Sequence, residues 1–307
     1  MNVMNQTIVT EILLLGLHEL PSFKTLFLFF LLIFPMMTVY GNSLIIWLVG
    51  STSSLQSPMY FFLTQLSLSD LLITTTIVPN TLYITYNDGG STSVSGCVIQ
   101  FYFFASTEAT ECFLLSIMAY DRYLAICNPL RYSSLMNPTA CITLAFISWL
   151  LGFSMELIVL ISTMYLQFCG PNVIDHFFCD LAPLLKLSCS DTIYVEMEVL
   201  ILSVPISFIP LVSIAVFYAY IVQAALRIST MSGRSKVFST CSSHLIVVSI
   251  FYGTLTGIYL LPTKNKSTTV NKMLSLLYTV VTPMINPIIY SLRNRDIKEA
   301  FKKCVAL

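Results

Sequence analysis

Seven stretches of this chain hold enough apolar residues to cross a hydrocarbon core, which takes roughly 20 of them in a helix. Leu26 to Val49 has no Asp, Glu, Lys or Arg, and Pro58 to Tyr86 has only Asp70. Cys97 to Ala119 carries Glu108 and Glu111, and Ala140 to Phe168 carries Glu156. Val199 to Leu226, Val237 to Thr263 and Met273 to Leu292 carry none of those residues, although His244 lies in the sixth block. A soluble all-α core would need amphipathic stripes with charged outer faces, whereas these segments are apolar on nearly every side. Only 10% of the 307 residues are charged, too few to solvate such a core. The expected fold is an all-α membrane protein, a seven-transmembrane helix bundle forming one domain over residues 1–307. The spans are placed at about 25–50, 58–86, 94–127, 139–166, 196–228, 235–263 and 270–292. Residues 1–24 precede them and residues 294–307 form the tail.

Basic residues near span ends orient the chain. One set of connections holds Arg122, Arg131, Arg227, Arg234, Lys236, Arg293, Arg295, Lys298, Lys302 and Lys303; the other holds Lys24, Lys186, Lys264, Lys266 and Lys272. That asymmetry predicts an N-terminus on the outer side and a C-terminus on the cytoplasmic side. Glycosylation sequons begin at Asn5 and Asn265, both on the expected outer side. No basic run precedes the short apolar segment Ile12 to Leu17, so no cleavable signal peptide is expected. Fifteen acidic and fifteen basic residues cancel, which leaves no global field to attract nucleic acid.

Cys97, Cys169, Cys179 and Cys189 fall at or beyond the outer face, where disulfides persist. Four cysteines allow three pairings, and spacing alone does not choose among them. The connection from Cys169 to Glu198 is long for a helical bundle and reads as a folded cap.

Acids inside a membrane are costly and mark function. At 1.5 Å per residue, Asp70 lies roughly 18 Å from the inner start of its helix, and Glu111 lies roughly 16–17 Å from the same face. The two carboxylates share a level, and a bound cation such as sodium would relieve their repulsion. A protonated carboxyl bonded to Ser or Asn neighbours is the alternative. Glu108 sits one turn outward of Glu111, and Glu156 lies in the outer half of the fourth span. His244 reads as a packing and hydrogen-bonding residue rather than a metal ligand, since the chain holds no His-His pair. Pro35, Pro79, Pro205, Pro210, Pro283 and Pro287 each remove a backbone donor, and the resulting kinks suit a protein that switches shape.

The motifs carry a family resemblance. Met118-Ala119-Tyr120-Asp121-Arg122-Tyr123-Leu124-Ala125-Ile126-Cys127 closes the third span. Gly41-Asn42 lies in the first, and Pro58-Met59-Tyr60-Phe61-Phe62-Leu63 opens the second, with Leu66-Ser67 and Asp70 following. Lys236-Val237-Phe238-Ser239-Thr240-Cys241-Ser242-Ser243-His244-Leu245 opens the sixth, and Phe251-Tyr252-Gly253 sits in its middle. Pro283-Met284-Ile285-Asn286-Pro287-Ile288-Ile289-Tyr290-Ser291-Leu292-Arg293-Asn294 closes the seventh. In that order, over nearly the whole chain, these residues resemble vertebrate odorant receptors, a branch of the rhodopsin-like G-protein-coupled receptors.

The resemblance implies roles. Asp121, Arg122 and Tyr123 would form the inner coupling latch, and Asn286, Pro287 and Tyr290 the hinge of the seventh helix, with Tyr218 rearranging towards it. Asp70 and Glu111 match the family's sodium-site acids. Cys97 would pair with Cys179, and Cys169 with Cys189. An odorant pocket would draw on Phe104, Ala105, Glu108, Ala109, Leu202, Ser203, Ile206, Ser207, Tyr252, Leu255, Thr256, Tyr259, Leu276 and Thr279. The partners implied are a small volatile odorant and a heterotrimeric G protein of the olfactory stimulatory type, which raises cyclic AMP. Glu108 and Glu156 depart from the small or polar residues expected there; if both face the cavity, a cationic ligand such as an amine fits. The tail residues Ile297, Ala300, Phe301 and Val305, set among basic residues, suit a short amphipathic eighth helix on the inner membrane surface, with Cys304 open to acylation.

Two other classes compete. A transporter or channel would use the intramembrane acids, but no inverted repeat or paired broken helices are visible. A membrane enzyme would need a nucleophile–base pair or metal cluster within the spans, and none is apparent, so no catalytic residue is expected.

Overall fold

A computed structural model describes residues 9–16, 24–259, 268–293 and 295–305. In chain order the elements are β1 (Glu11–Leu14), α1 (Lys24–Ser51), α2 (Pro58–Tyr86), β2 (Gly90–Ser93), α3 (Val94–Cys127), α4 (Pro129–Leu135), α5 (Pro138–Met164), β3 (Val173–Ile174) and α6 (Leu181–Leu185). Then come α7 (Ile193–Ser203), a π-helical turn Val204–Phe208, α8 (Ile209–Arg227) and α9 (Met231–Tyr259). A second interrupted helix follows as α10 (Thr268–Leu276), a π-helical turn Leu277–Val281 and α11 (Thr282–Arg293); α12 (Arg295–Val305) ends the series.

Six helical stretches among the described residues are long and apolar enough to cross a membrane: Lys24–Ser51, Pro58–Tyr86, Pro138–Met164, Ile193–Arg227, Met231–Gly257 and Val270–Ser291. The 34-residue α3 is long enough, at roughly 50 Å, but holds Glu108, Glu111, Asp121 and Arg122. Its polar content reflects where it sits. Glu108, Glu111 and Asp121 are buried in the protein, along with Ser106, Thr107 and Thr110 of the same helix.

Local chemistry sets the boundaries. Pro58, Pro129 and Pro138 each open a helix, where no backbone donor is needed. Ser93 and Asn137 cap α3 and α5 by accepting from the amides of Gly96 and Ala140. Inside the helices, Thr38, Thr74, Thr81, Thr110 and Ser148 return their hydroxyls to carbonyls four residues back, which removes the cost of burying them.

Pro287 cannot donate to the carbonyl of Pro283, four residues back. The amide of Asn42 donates to that carbonyl instead, at 3.2 Å. Gly41 makes the approach feasible: a Cβ there would meet Pro287 at 3.0–3.1 Å. The Gly41-Asn42 pair thus repairs the bend in α11. Gly152 serves α3 and α5 in the same way, since its Cβ would lie 2.8 Å from the Ser106 carbonyl and 2.9 Å from the Thr110 amide.

One end of the bundle is closed by a small sheet, ordered β2-β1-β3. β1 pairs antiparallel with β2, Ile12 opposite Thr92, and parallel with β3, Leu13 opposite Val173. Ile12 and Leu14 are fully buried beneath it with Ile84, Cys97, Phe168 and Cys179. Within the segment expected only as a short apolar run, Ile12, Leu13 and Leu14 are therefore strand residues. This end is called the sheet end, and the other the Arg122 end.

Candidate functional site

Polar side chains form three groups along the bundle axis. In the middle, Asp70 on α2 accepts from the Asn286 amide of α11 at 3.0 and 3.2 Å. Glu111 lies buried nearby, its Oε1 without a hydrogen-bond partner among the described residues. The Asn42 Oδ1 is likewise unpartnered and buried. Two acids and neutral oxygens of this kind are hard donors suited to a small cation. No group of three or more His, Cys, Asp or Glu forms a metal cluster among the described residues.

Towards the sheet end, the Tyr278 hydroxyl, from the π-helical turn before α11, donates to Glu108 of α3. Phe104 stands edge-on to the Tyr278 ring at 5.8 Å, and Phe178 of the connection between α5 and α7 stands over Phe104 at 5.4 Å. That connection is pinned by two disulfides, Cys97–Cys179 and Cys169–Cys189. A third tie is ionic: Lys272 of α10, almost fully buried, pairs with Asp175. His176 stacks on Phe177 at 4.6 Å, and burial together with the Lys272 charge pulls its pKa down to about 4. Burial pushes Asp180, the cap of α6, up to about 6.

At the Arg122 end, both Nε and Nη2 of Arg122 donate to one oxygen of Asp121, at 3.1 and 2.6 Å. The Tyr132 hydroxyl of α4 donates to the other oxygen at 2.7 Å. Burial and the neighbouring Asp121 push the Tyr132 phenol up, which keeps it a donor. Asp121 is wholly buried, so the arrangement is a closed, charge-neutral latch.

A second closure lies beside it. His244 Nε2 faces the Leu115 carbonyl at 3.1 Å, and a carbonyl only accepts, so Nε2 carries the proton. Nδ1 is then an acceptor for the Tyr218 hydroxyl at 2.8 Å. One neutral imidazole joins α3, α8 and α9.

A family model described as olfactory receptor matches residues 30–306. The chain is 47% identical over 302 residues to the human protein named olfactory receptor 10A7, covering 98% of this chain and 95% of that one. It is 45% identical over 296 residues to rat olfactory receptor 1468, with 96% and 94% covered. Human olfactory receptor 11L1 is 46% identical over 304 residues, with 99% and 94% covered. The chain belongs to the olfactory receptor family. The receptor is therefore an odorant receptor of the G-protein-coupled class, a multi-pass membrane protein that signals and is not an enzyme. The transporter or channel reading is not favoured.

Within the receptor, the residues expected to form the pocket divide. Phe104, Glu108, Ala109, Ile206, Tyr252, Leu276 and Thr279 are buried in the bundle, and Ala105, Leu202, Ser207 and Leu255 are half-buried. Ser203 and Thr256 are exposed, and the Ser203 hydroxyl returns to the Leu200 carbonyl of its own helix. Asn5, Asn265 and the side chains of Tyr259 and Cys304 lie outside the described residues. Glu156 is half-buried on α5. Tyr218 engages His244, whereas Tyr290, fully buried, leaves its hydroxyl unpartnered among the described residues.

Sequence reasoning missed Tyr278, Tyr132, Lys272 and Asp175. Tyr278 and Glu108 are 170 positions apart, and no periodicity links them. Lys272 was counted only among the basic residues flanking the spans, although it directly precedes the apolar block that opens at Met273.

Proposed function

We propose that this odorant receptor crosses the plasma membrane seven times, with α3 as the crossing that its buried acids disguise. The N-terminus lies outside and the C-terminus inside, and α12 rests on the inner membrane surface as an amphipathic eighth helix. Ten basic residues against five support that orientation. Support for the inner-surface helix comes from Ile297 and Ala300, which are buried while Lys298 and Lys302 are exposed.

A small odorant binds between α3, the α7–α8 helix and α9, under the disulfide-pinned connection. The mostly apolar residues there, with a few hydroxyls, suit a volatile molecule. A sodium ion would be held by Asp70 and Glu111, which the unpartnered Glu111 oxygen supports; it would supply positive charge between two acids.

The observation that carries the mechanism is the double closure at the Arg122 end. With Asp121 neutralising Arg122, and His244 tying α3, α8 and α9, the G-protein face is held shut. An odorant that binds the open arrangement more tightly shifts the population, freeing Arg122 towards the G protein. The coupling partner is the olfactory stimulatory alpha subunit, whose action raises cyclic AMP.

The test is a cyclic-AMP reporter in cells that lack or contain that alpha subunit, screened with odorants. The signal is expected only when the subunit is present. A current or cyclic-AMP rise that persists without it contradicts this reading.

A further inference from the structure

We propose that Glu108 and the aromatic rings around it form a recognition site for a small organic cation, an aliphatic ammonium, within the odorant pocket. This deepens the receptor reading above and rests on it.

The first observation is a charge imbalance. The ion pairs among the described residues are Lys24–Asp88, Arg122–Asp121 and Lys272–Asp175. They occupy Arg122 and Lys272, whose side chains are 12% and 1% exposed. Asp70, Glu108 and Glu111 are buried without a basic partner among the described residues. Of the three, Glu108 lies nearest the sheet end and keeps a small accessible area, 7%, against 1% and 2% for Asp70 and Glu111.

The second observation is the set of rings. Tyr278 donates to Glu108, and Phe104 lies 5.8 Å from Tyr278. Phe251 lies 6.2 Å from Tyr278, and Tyr252 lies 5.2 Å from Phe251. Phe178 adds a lid over Phe104. A carboxylate among aromatic faces is the chemistry that holds alkylammonium groups, since each ring face carries partial negative charge.

The third observation is a buried hydroxyl with free acceptor capacity. The Tyr252 hydroxyl is buried and has no oxygen or nitrogen partner among the described residues; the Cys112 thiol beside it accepts its hydrogen bond. Cys112 is one turn from Glu108 on the same face of α3. An ammonium with several N–H groups can donate to the Glu108 carboxylate and to this hydroxyl together.

The experiment uses the full-length receptor with surface display measured by an N-terminal tag. Cyclic AMP is read for matched pairs: hexylamine with hexanol, and cyclohexylamine with cyclohexanol, beside a panel of neutral odorants. The amines are expected to be about 10-fold or more potent than their alcohols, the size of a charge-assisted hydrogen bond. Glu108→Gln should erase that preference, the amines losing about 10-fold or more beyond whatever their matched alcohols lose, and Glu108→Asp, which retains the charge, should restore part of it. The Asp variant also covers the case in which the Gln variant fails to reach the surface. A response to neutral compounds alone overturns the cation site and leaves the receptor reading intact. Equal losses for amines and alcohols in Glu108→Gln at matched display mean that Glu108 is structural, and also overturn it. Silence towards every compound from a well-displayed receptor contradicts both.

Discussion

The Tyr218 hydroxyl donates to Nδ1 of His244 at 2.8 Å, while Nε2 of the same ring donates to the Leu115 carbonyl. The imidazole is neutral and has a fixed tautomer, and both of its bonds cross helix boundaries. Burial of all three groups means that losing the ring leaves two polar atoms without water to replace it.

His244→Phe should therefore destabilise the resting arrangement by about 1–3 kcal/mol. Basal cyclic AMP should rise roughly 5-fold or more at equal surface display. Asp121→Asn, which weakens the Arg122 latch, should act in the same direction. A reporter assay without odorant checks both, and unchanged basal signal would show that neither contact holds the resting state.

The Cys97–Cys179 bond closes 82 residues, a loop whose cross-link is worth about 4–5 kcal/mol by chain entropy. Cys97→Ser should abolish surface display. Cys169→Ser, opening a ring of 20 residues, should cost about 3 kcal/mol and leave some display. Flow cytometry on unpermeabilised cells measures both, and the order of severity is the check.

Gly152→Ala should destabilise the receptor by about 1–3 kcal/mol, because the added methyl meets the Ser106 carbonyl and Thr110 amide of α3. Gly50→Ala, with nothing within 4 Å, is the neutral control. Thermal unfolding of the detergent-solubilised receptor should separate the two variants by several degrees, on the order of 2–4 °C per kcal/mol.

His176 predicts a pH effect with a definite sign. Its folded pKa of about 4 lies below the ordinary histidine value of 6.5, so between those values the unfolded chain binds the extra proton. This residue's contribution is full above pH 6.5 and is lost as pH falls towards 4. Asp180, raised from 3.8 to about 6, has the opposite slope: its folded state holds the proton, so its contribution is lost as pH rises through 6. Comparing melting temperatures of the receptor and His176→Phe between pH 7 and 5 isolates the histidine, and the variant should lose less on acidification. Equal losses would remove His176 as the cause.

The helices were largely legible because lipid demands long apolar runs, and Leu26 to Val49 or Val199 to Leu226 need no partner to be recognised. α3 is harder, because its acids are sheltered by neighbours that sequence does not name. The Gly41-Asn42 and Pro283–Pro287 motifs were visible separately, yet their joint meaning, an amide repairing a carbonyl left by proline, needs the two helices side by side. β1 escaped for a similar reason: four residues have no strand identity until β2 and β3 flank them. At the site, the acids declared themselves by their cost in the membrane, whereas Tyr278 and Tyr132 are ordinary amphipathic residues until their acceptors are known.

The central claim is that odorant binding opens a face held shut by the Arg122 latch and the His244 bridge. Spin labels at Leu130 of α4 and Met231 of α9, both strongly exposed, would report it by pulsed dipolar distance measurement. An odorant that raises cyclic AMP should shift the distribution to longer distances, and His244→Phe should populate that longer state without odorant. A distribution that an active odorant leaves unchanged would contradict the account.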